Sequence, residues 1–424
     1  MALVAIIFLA IILVSIILGR SLFFKTYSKL LIAALILLLS FLVLLFFTTI
    51  HSIDVLDNAK DYSKIGPYGD YIGGILNPLI AVFAVFAAGF AFYAQYEANK
   101  QVQDQFKIQQ FESQFYEMLR LHRDNLNEMQ IEGYEFTTYP AGKDKSAKLD
   151  SKEKKITSGK KVFVTMLKEF EAIHLIGTKV FMFRFNLLSP PQKEQVNTLL
   201  KKFIFDHSYF VFFNGISFYK KSINSYKQND ATGFLDLVLD DFVEELESKR
   251  KSHLESGIKE HHLYYTTGSV LTEGLLTKSL WLSFNYKPFS GHLSILGHYY
   301  RHLFQTVKYV VKQNENLISY EQKRDYLRVL RSVLSSHEQI LLYYNWLADF
   351  GSQWEEKNVQ NRKSKIGNFF FTDYRMIHNI PSQMLLDDFK LDDIFNEDFQ
   401  SFRYEANRKD EDLLFQLIEI KSKA

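Results

Sequence analysis

The sequence predicts an all-α protein: three N-terminal transmembrane helices followed by a helical cytosolic domain. Three observations predict it. Much of the apolar content sits in the first 95 residues, in three stretches almost free of charge. Beyond them, apolar residues recur at helical spacing, with no strand-rich tract and no repeat. The chain also has no cysteine, which excludes a disulfide scaffold, Cys-ligated zinc, iron–sulfur clusters and thiol nucleophiles. With 50 Lys+Arg against 48 Asp+Glu the net charge is +2, which makes no case for nucleic acid.

The apolar stretches are residues 2–18, 30–50 and 71–93. A helix needs about 20 apolar residues to cross the hydrocarbon core, so the first is short and the others ample. A secretory signal peptide is the alternative for the first. It lacks a basic start, and Ser15 to Ser21 shows no small-x-small cleavage site. Loop charges set the orientation. The first loop has Arg20, Lys25 and Lys29 and no acid, whereas the second has Asp54, Asp57, Asp61 and Asp70 against Lys60 and Lys64. The first loop is therefore expected in the cytosol and the second outside. The N-terminus is then outside, and everything after about Ala94 is cytosolic. A re-entrant third stretch would reverse the side of the large domain; its length favours a span. Pro78 is expected in the first turn of that span, where its missing N–H costs nothing. Ala84 and Ala88, and Ala87 and Ala91, have the small-residue spacing that lets helices approach, while Phe83, Phe86 and Phe90 lie on another face.

Residues 95–137 are expected to continue as a helical stalk. No Pro or Gly falls between Phe90 and Ile131, and Val102, Phe106, Phe111, Phe115 and Leu119 recur at steps of four or five. This is an imperfect amphipathic pattern, a stalk or a coiled-coil oligomer seam. Residues 138–161 hold Pro140, Gly142 and eight lysines with almost no large apolar side chain, and are expected to form a basic linker. Residues 162–384 form the expected helical cytosolic domain. Its helices are placed at Val162–Ile176, Lys193–Phe205, Ser208–Ser225, Phe234–Leu246, His292–Val311 and Tyr320–Phe350. Residues 385–424 alternate acids with Leu and Phe, as small acidic surface helices would.

The last two long helices hold the candidate site. On the first, His298 and His302 are four apart and share a face, with Arg301 beside them. On the second, Arg331, Glu338 and Asn345 fall at steps of seven and would line one face, with His337 pointing elsewhere. If the faces meet, Arg301 or a histidine reaches Glu338. Three readings compete. His298, His302 and Glu338 have a ligand-like spacing for a metal, but no HExxH-like motif is present and no metal or other cofactor is expected. Arg331 and His337, with five residues between them, resemble the Arg–His motif of HEPN-type ribonucleases, which implies His for acid–base chemistry and Arg for phosphate. Structural pairing in a helical core is the third reading and the favoured one. There is no P-loop, no GxSxG elbow and no kinase set.

The motifs, in order, have a family likeness. An apolar helix opens at Gly73-Gly74-x-Leu76-Asn77-Pro78, and a Gln-rich helix then ends in Phe111-Glu112-Ser113-Gln114-Phe115-Tyr116-Glu117-Met118-Leu119. Later come Phe289-Ser290-Gly291-His292, Leu296-Gly297-His298-Tyr299-Tyr300-Arg301-His302 and Ser335-Ser336-His337-Glu338. Over residues 70 to 380 the chain resembles the phage abortive infection proteins, the AbiC-like membrane family of bacteria. The resemblance implies a multi-pass protein of the bacterial inner (plasma) membrane in antiphage defence, without an established mechanism. It singles out Gly291, His292, His298, Arg301, Ser335 and Glu338; with His302 and Asn345 these make the expected functional polar cluster. The implied role is to sense infection and perturb the membrane or engage a partner. The alternatives are a membrane-tethered ribonuclease using Arg331 and His337, and a scaffold or signalling protein outside defence. Expected partners are the bilayer, a second copy through the third span and stalk, and a phage component or co-encoded protein. Nucleic acid is a partner only under the ribonuclease alternative.

Overall fold

A computed structural model describes residues 65–136, 152–229, 233–255, 263–265, 280–282 and 286–395. The expected spans at 2–18 and 30–50, the linker part 137–151 and the C-terminal residues 396–424 lie outside the described residues. The chain divides into two units, Met1–Asn99 and Lys100–Ala424.

In the first unit the described part is helical. Helix α1 (Ile65–Glu128) begins there. Its stretch Ile80–Glu128 contains an 18-residue window of mean hydropathy 1.4, long and apolar enough to cross a membrane. That is the one such helix among the described residues. The acids and bases of α1 cluster from Lys100 onward, which confines the apolar part to the residues before it. None of that window is covered by protein, and Val85 and Phe92 are 72% and 73% exposed. The helix starts earlier than expected, so Pro78 sits inside it and not in its first turn. Proline inside a membrane helix is tolerated where the freed carbonyl finds another partner.

The second unit is a helical body with two small hairpins. From Lys100 onward α1 and the residue just after it carry a stripe at steps of four, four, three, four and three: Phe111, Phe115, Leu119, His122, Leu126 and Met129. All are buried except Leu119, which packs against the core while half-buried. Val102 and Phe106, expected in that stripe, are exposed instead. The seam is thus used within the chain, which removes the basis for reading Phe111, Phe115 and Leu119 as a coiled-coil interface.

The helix stops at Glu128, and the stalk does not run on to 137. Strand β1 (Gln130–Phe136) pairs antiparallel with β2 (Lys152–Ser158), in register Gln130↔Ser158 to Phe136↔Lys152. The lysine-rich end of the expected linker is therefore a strand. Gly159, just after β2, donates its N–H to Met129 O at 3.1 Å and has φ 63, a conformation that favours glycine.

Helices α2 (Lys161–Leu187), α3 (Pro190–Asn214), α4 (Ile216–Asn229) and α5 (Phe234–Glu255) follow. The expected boundary near Phe205 does not exist; α3 runs through it and ends at Gly215. Its start is set by Ser189, whose backbone N–H is accepted by Gln192 Oε1 at 3.1 Å, and by Pro190 in the first turn. The apolar run of α5, Phe234, Leu235, Val238, Leu239, Phe242, Val243 and Leu246, is buried throughout. Gly177 lets α2, α3 and α5 close on one another: a Cβ there would lie 2.8 Å from Ser208 Oγ and 3.4 Å from the Phe242 ring. Arg184 of α2 pairs with Asp241 of α5 at the rim.

A short hairpin, β3 (Leu263–Tyr265) with β4 (Leu280–Leu282), precedes α6 (Leu293–Val311), α7 (Tyr320–Ser332) and α8 (Ser336–Leu347). The helix expected over Tyr320–Phe350 is thus two. The break lies at Val333–Ser335 because Ser335 caps α8: its Oγ accepts from Glu338 N, and Glu338 Oε2 accepts from Ser335 N at 2.7 Å. This capping box satisfies backbone groups that an uninterrupted helix would bond internally. Short elements complete the described body: α9 (Val359–Lys363), three 3-10 turns and α10 (Leu391–Ile394).

Two glycines hold the body at its tightest point. Gly215, at the α3–α4 break, has φ 86, and Gly291, just before α6, has φ 89. A Cβ on Gly215 would lie 2.4 Å from Ser290 O, and one on Gly291 would lie 2.5 Å from Asn214 C. Both are too close to backbone for any side chain. Gly291→Ala is expected to destabilise the fold by at least about 2 kcal/mol, from left-handed strain plus the clash. Thermal melts of the full chain in detergent check this; an unchanged Tm would refute the close contact.

Candidate functional site

The site is built upward from the loop before α6. His292 is the N-cap of α6, and its N–H donates to Phe213 O at 2.9 Å. Ile216 N–H donates to Phe289 O at 3.0 Å, so this loop and the α3–α4 break are laced together. Under the loop lies Glu169 of α2, fully buried. Its carboxylate accepts from Phe289 N at 2.5 Å, from the Tyr286 hydroxyl, and bonds His292 Nε2 at 2.6 Å. Burial works to raise the Glu169 carboxyl. The adjoining His292, with Tyr286 and the Phe289 N–H, outweighs that and holds it below the usual carboxylate range. The same burial and the carboxylate push the Tyr286 hydroxyl well up.

The second buried carboxylate is Glu338 of α8. It accepts from Tyr299 Oη of α6 at 2.8 Å and from Ser335 Oγ at 2.6 Å. The α6–α8 contact therefore exists, but Tyr299 makes it. Arg301 is exposed and does not reach Glu338. On a helix, residue 299 points about 200° away from residue 301, so only one of them can face inward.

Asn345, two turns along α8 from Glu338, is buried and donates to Tyr209 Oη of α3 at 3.1 Å. The Tyr300 hydroxyl neighbours Tyr209, and burial pushes both hydroxyls up. Tyr209 in turn meets Phe212, whose ring lies 5.0 Å from that of His292. His292, Asn345 and Glu338 are thus linked through rings, each already spoken for by a neighbour. His298 and Arg301 are on the surface of α6, and His302 is half-buried beside His122 of α1. The expected cluster does not converge on one cleft.

The ribonuclease candidates fall on different helices. Arg331 lies in the last turn of α7, and its Nη1 donates to Arg375 O at 2.8 Å. His337 is the second residue of α8 and half-buried. Burial lowers its pKa, Lys168 lowers it further, and Glu338 partly offsets both. Arg331 is positioned as a clamp on the Arg375 turn, where Arg375 itself has φ 59.

Sequence reasoning missed several residues. Glu169 was legible in principle, as an acid among Met166, Phe170 and Ile173 on the buried face of α2. Glu355 was not, since it lies in a loop. It is fully buried, pairs with Arg362 Nη1 at 2.6 Å and accepts from Phe371 N at 2.8 Å. Burial pushes its carboxyl up to about 7 against the pull of Arg362 and Thr372. Among the described residues no group of three or more His, Asp or Glu is arranged to hold a metal ion.

These features define a class: a helical body with buried carboxylate anchors, joined to a helix apolar enough to cross a membrane. The family model described as "Putative phage abortive infection protein" matches residues 291–385, from Gly291 through α6, α7, α8 and the Glu355–Arg362 pair. This is the family that the motifs resemble, and the match points to a role in phage defence. No curated protein and no solved structure matches the chain.

Removing either carboxylate should cost stability, by different amounts. Glu169→Ala leaves the Tyr286 hydroxyl, the Phe289 N–H and His292 without their acceptor, at roughly 3 kcal/mol or more. Glu338→Ala loses a helix cap and strands Tyr299, about 2 kcal/mol. Denaturant titrations of full-length protein measure both. Equal, near-zero losses would contradict the burial of these groups.

Proposed function

We propose that this protein is a membrane-anchored abortive-infection factor of bacteria. It sits in the inner membrane with its body in the cytosol, senses a phage event, and responds by perturbing the membrane or engaging a partner. The observation that carries this reading is the family match over residues 291–385. The uncovered apolar window of α1 supports the membrane anchor. The charges of the loops between the apolar stretches support the orientation.

Within the matched segment the residues divide by duty. His292, Glu338 and Asn345 are buried and shape the body. His298 and Arg301 are exposed on α6, so their removal leaves no buried group stranded. Surface substitutions of this kind change stability by only about 0.5 kcal/mol or less. Arg301 is therefore the residue assigned to contact with the trigger or partner.

Plating efficiency of a diverse phage panel on bacteria expressing the protein tests this. Protection by the wild type, lost in Arg301→Ala at unchanged protein level, is expected. Protection against no phage would count against the defence role; protection retained in Arg301→Ala would move the contact elsewhere. His337→Ala is expected to retain protection and to leave cellular RNA during infection as it is in wild-type cells. RNA cleavage that disappears in that variant would instead establish the ribonuclease reading.

A further inference from the structure

The apolar stripe by which α1 docks on the body is interrupted by a histidine. Phe111 stacks on Tyr309 of α6 at 5.5 Å and meets Tyr326 of α7 edge-on at 5.0 Å; Phe115 meets Tyr326 at 5.3 Å. Beside them, Tyr326 Oη donates to Glu112 Oε1 at 2.5 Å. Further along, where the spacing calls for another apolar residue, stands His122, only 2% exposed. Its ring lies 6.0 Å from that of His302 and 5.2 Å from that of Tyr299, both on α6. His122 Nε2 and His302 Nδ1 are both buried and both without a hydrogen-bond partner. Leaving such atoms unsatisfied in an apolar seam is costly, and a leucine would avoid that cost.

We propose that the His122–His302 pair is a proton-sensitive latch: it holds the end of α1 against α6 while both rings are neutral and releases it when they take up protons. The titratable groups facing His122 disfavour its protonation in the docked state. From α6 they are His302 and Tyr299, with His298 close to His302; from the turn before α2 it is Lys160. Lys160 itself donates to Val333 O at 2.9 Å and so is fixed nearby. Glu338 of α8, which bonds Tyr299, is occupied by that hydroxyl and by Ser335. A new imidazolium on His122 would therefore meet a second imidazole and an ammonium, and no carboxylate among the described residues is among the charges acting on either ring.

The sign follows from the same groups. Burial first, then His302 and Lys160, lower His122 from the ordinary 6.5 to about 4, and burial also lowers His302. A released His122 regains its ordinary value, so the released state binds more protons between these two limits. Docking is at full strength above about pH 6.5 and weakens as pH falls towards 4, by up to about tenfold per pH unit for each proton taken up. Because α1 also carries the apolar window, the latch would let cytosolic acidification uncouple the body from the docked end of that helix.

The absence of native cysteine makes the test direct. Arg123→Cys on α1 and Gln305→Cys on α6 are both at exposed positions and accept spin labels in the full chain in lipid nanodiscs. The inter-label distance is measured by pulsed electron resonance from pH 7.5 to 4.5, with helicity followed by circular dichroism. The expected result is one narrow distance at pH 7.5 and a longer, broader distribution at pH 4.5 with helicity retained. In His122→Leu, which completes the apolar stripe, the narrow distance should persist at pH 4.5. Three results would overturn the latch: a distance unchanged with pH in the parent, opening at the same pH in His122→Leu, or loss of helicity in the same step.

Discussion

Glu169 is the point on which the body is assembled. A carboxylate with no exposure is costly to bury, and it survives only where donors replace the water it has lost. Here the donors come from one loop: Tyr286, the Phe289 N–H and His292. By collecting them, α2 fixes the loop that launches α6. The same loop must pass against the α3–α4 break, and only glycine at both 215 and 291 permits that approach. The start of the family-matched segment is thus set by an acid more than a hundred residues earlier in the chain.

From that anchor the core spreads mainly through aromatic rings. Phe170 of α2 touches Phe205, Tyr209 and Phe212 of α3 and Tyr344 of α8, all between 5.1 and 5.6 Å. Phe205 reaches Phe389 at 4.5 Å, and Trp346 stacks on Phe395 at 5.2 Å, which ties the end of the described chain to α3 and α8. Such pairs contribute about 0.5–1.5 kcal/mol beyond their buried area. They also explain why hydroxyl and amide partners recur inside: a tyrosine can fill a core only if its oxygen finds a neighbour. The polar residues of the α6–α8 region mostly serve that need. What stays exposed is the outer face of α6, with His298 and Arg301.

How much was legible depended on whether the signal was local. The α5 stripe, the start of α6 at His292 and the family motifs could all be read from periodicity and residue order. The break between α7 and α8 was also written locally, in the Ser335-x-x-Glu338 capping box, but the helical pattern on either side obscured it. Strand β2 was hidden because Lys152–Ser158 has the composition of a solvated loop and becomes a strand only by pairing with β1. The partner of Glu338 could not be chosen from sequence. Arg301 is the natural electrostatic match, yet the rotation of α6 about its axis turns Tyr299 inward, and packing decides that rotation.

The sequence by itself determined the helical class, the apolar window of α1 and the likeness of residues 291–385 to a phage-defence family, because each depends on composition, spacing or residue order. Only the tertiary structure decided which polar residues are anchors and which are exposed, because burial is a property of the assembled neighbours. The duties of Glu169, Glu355 and His122 were set by assembly for that reason. Each is an ordinary polar residue on its own helix or loop, and each acquires its role from a partner far along the chain or from water being excluded around it.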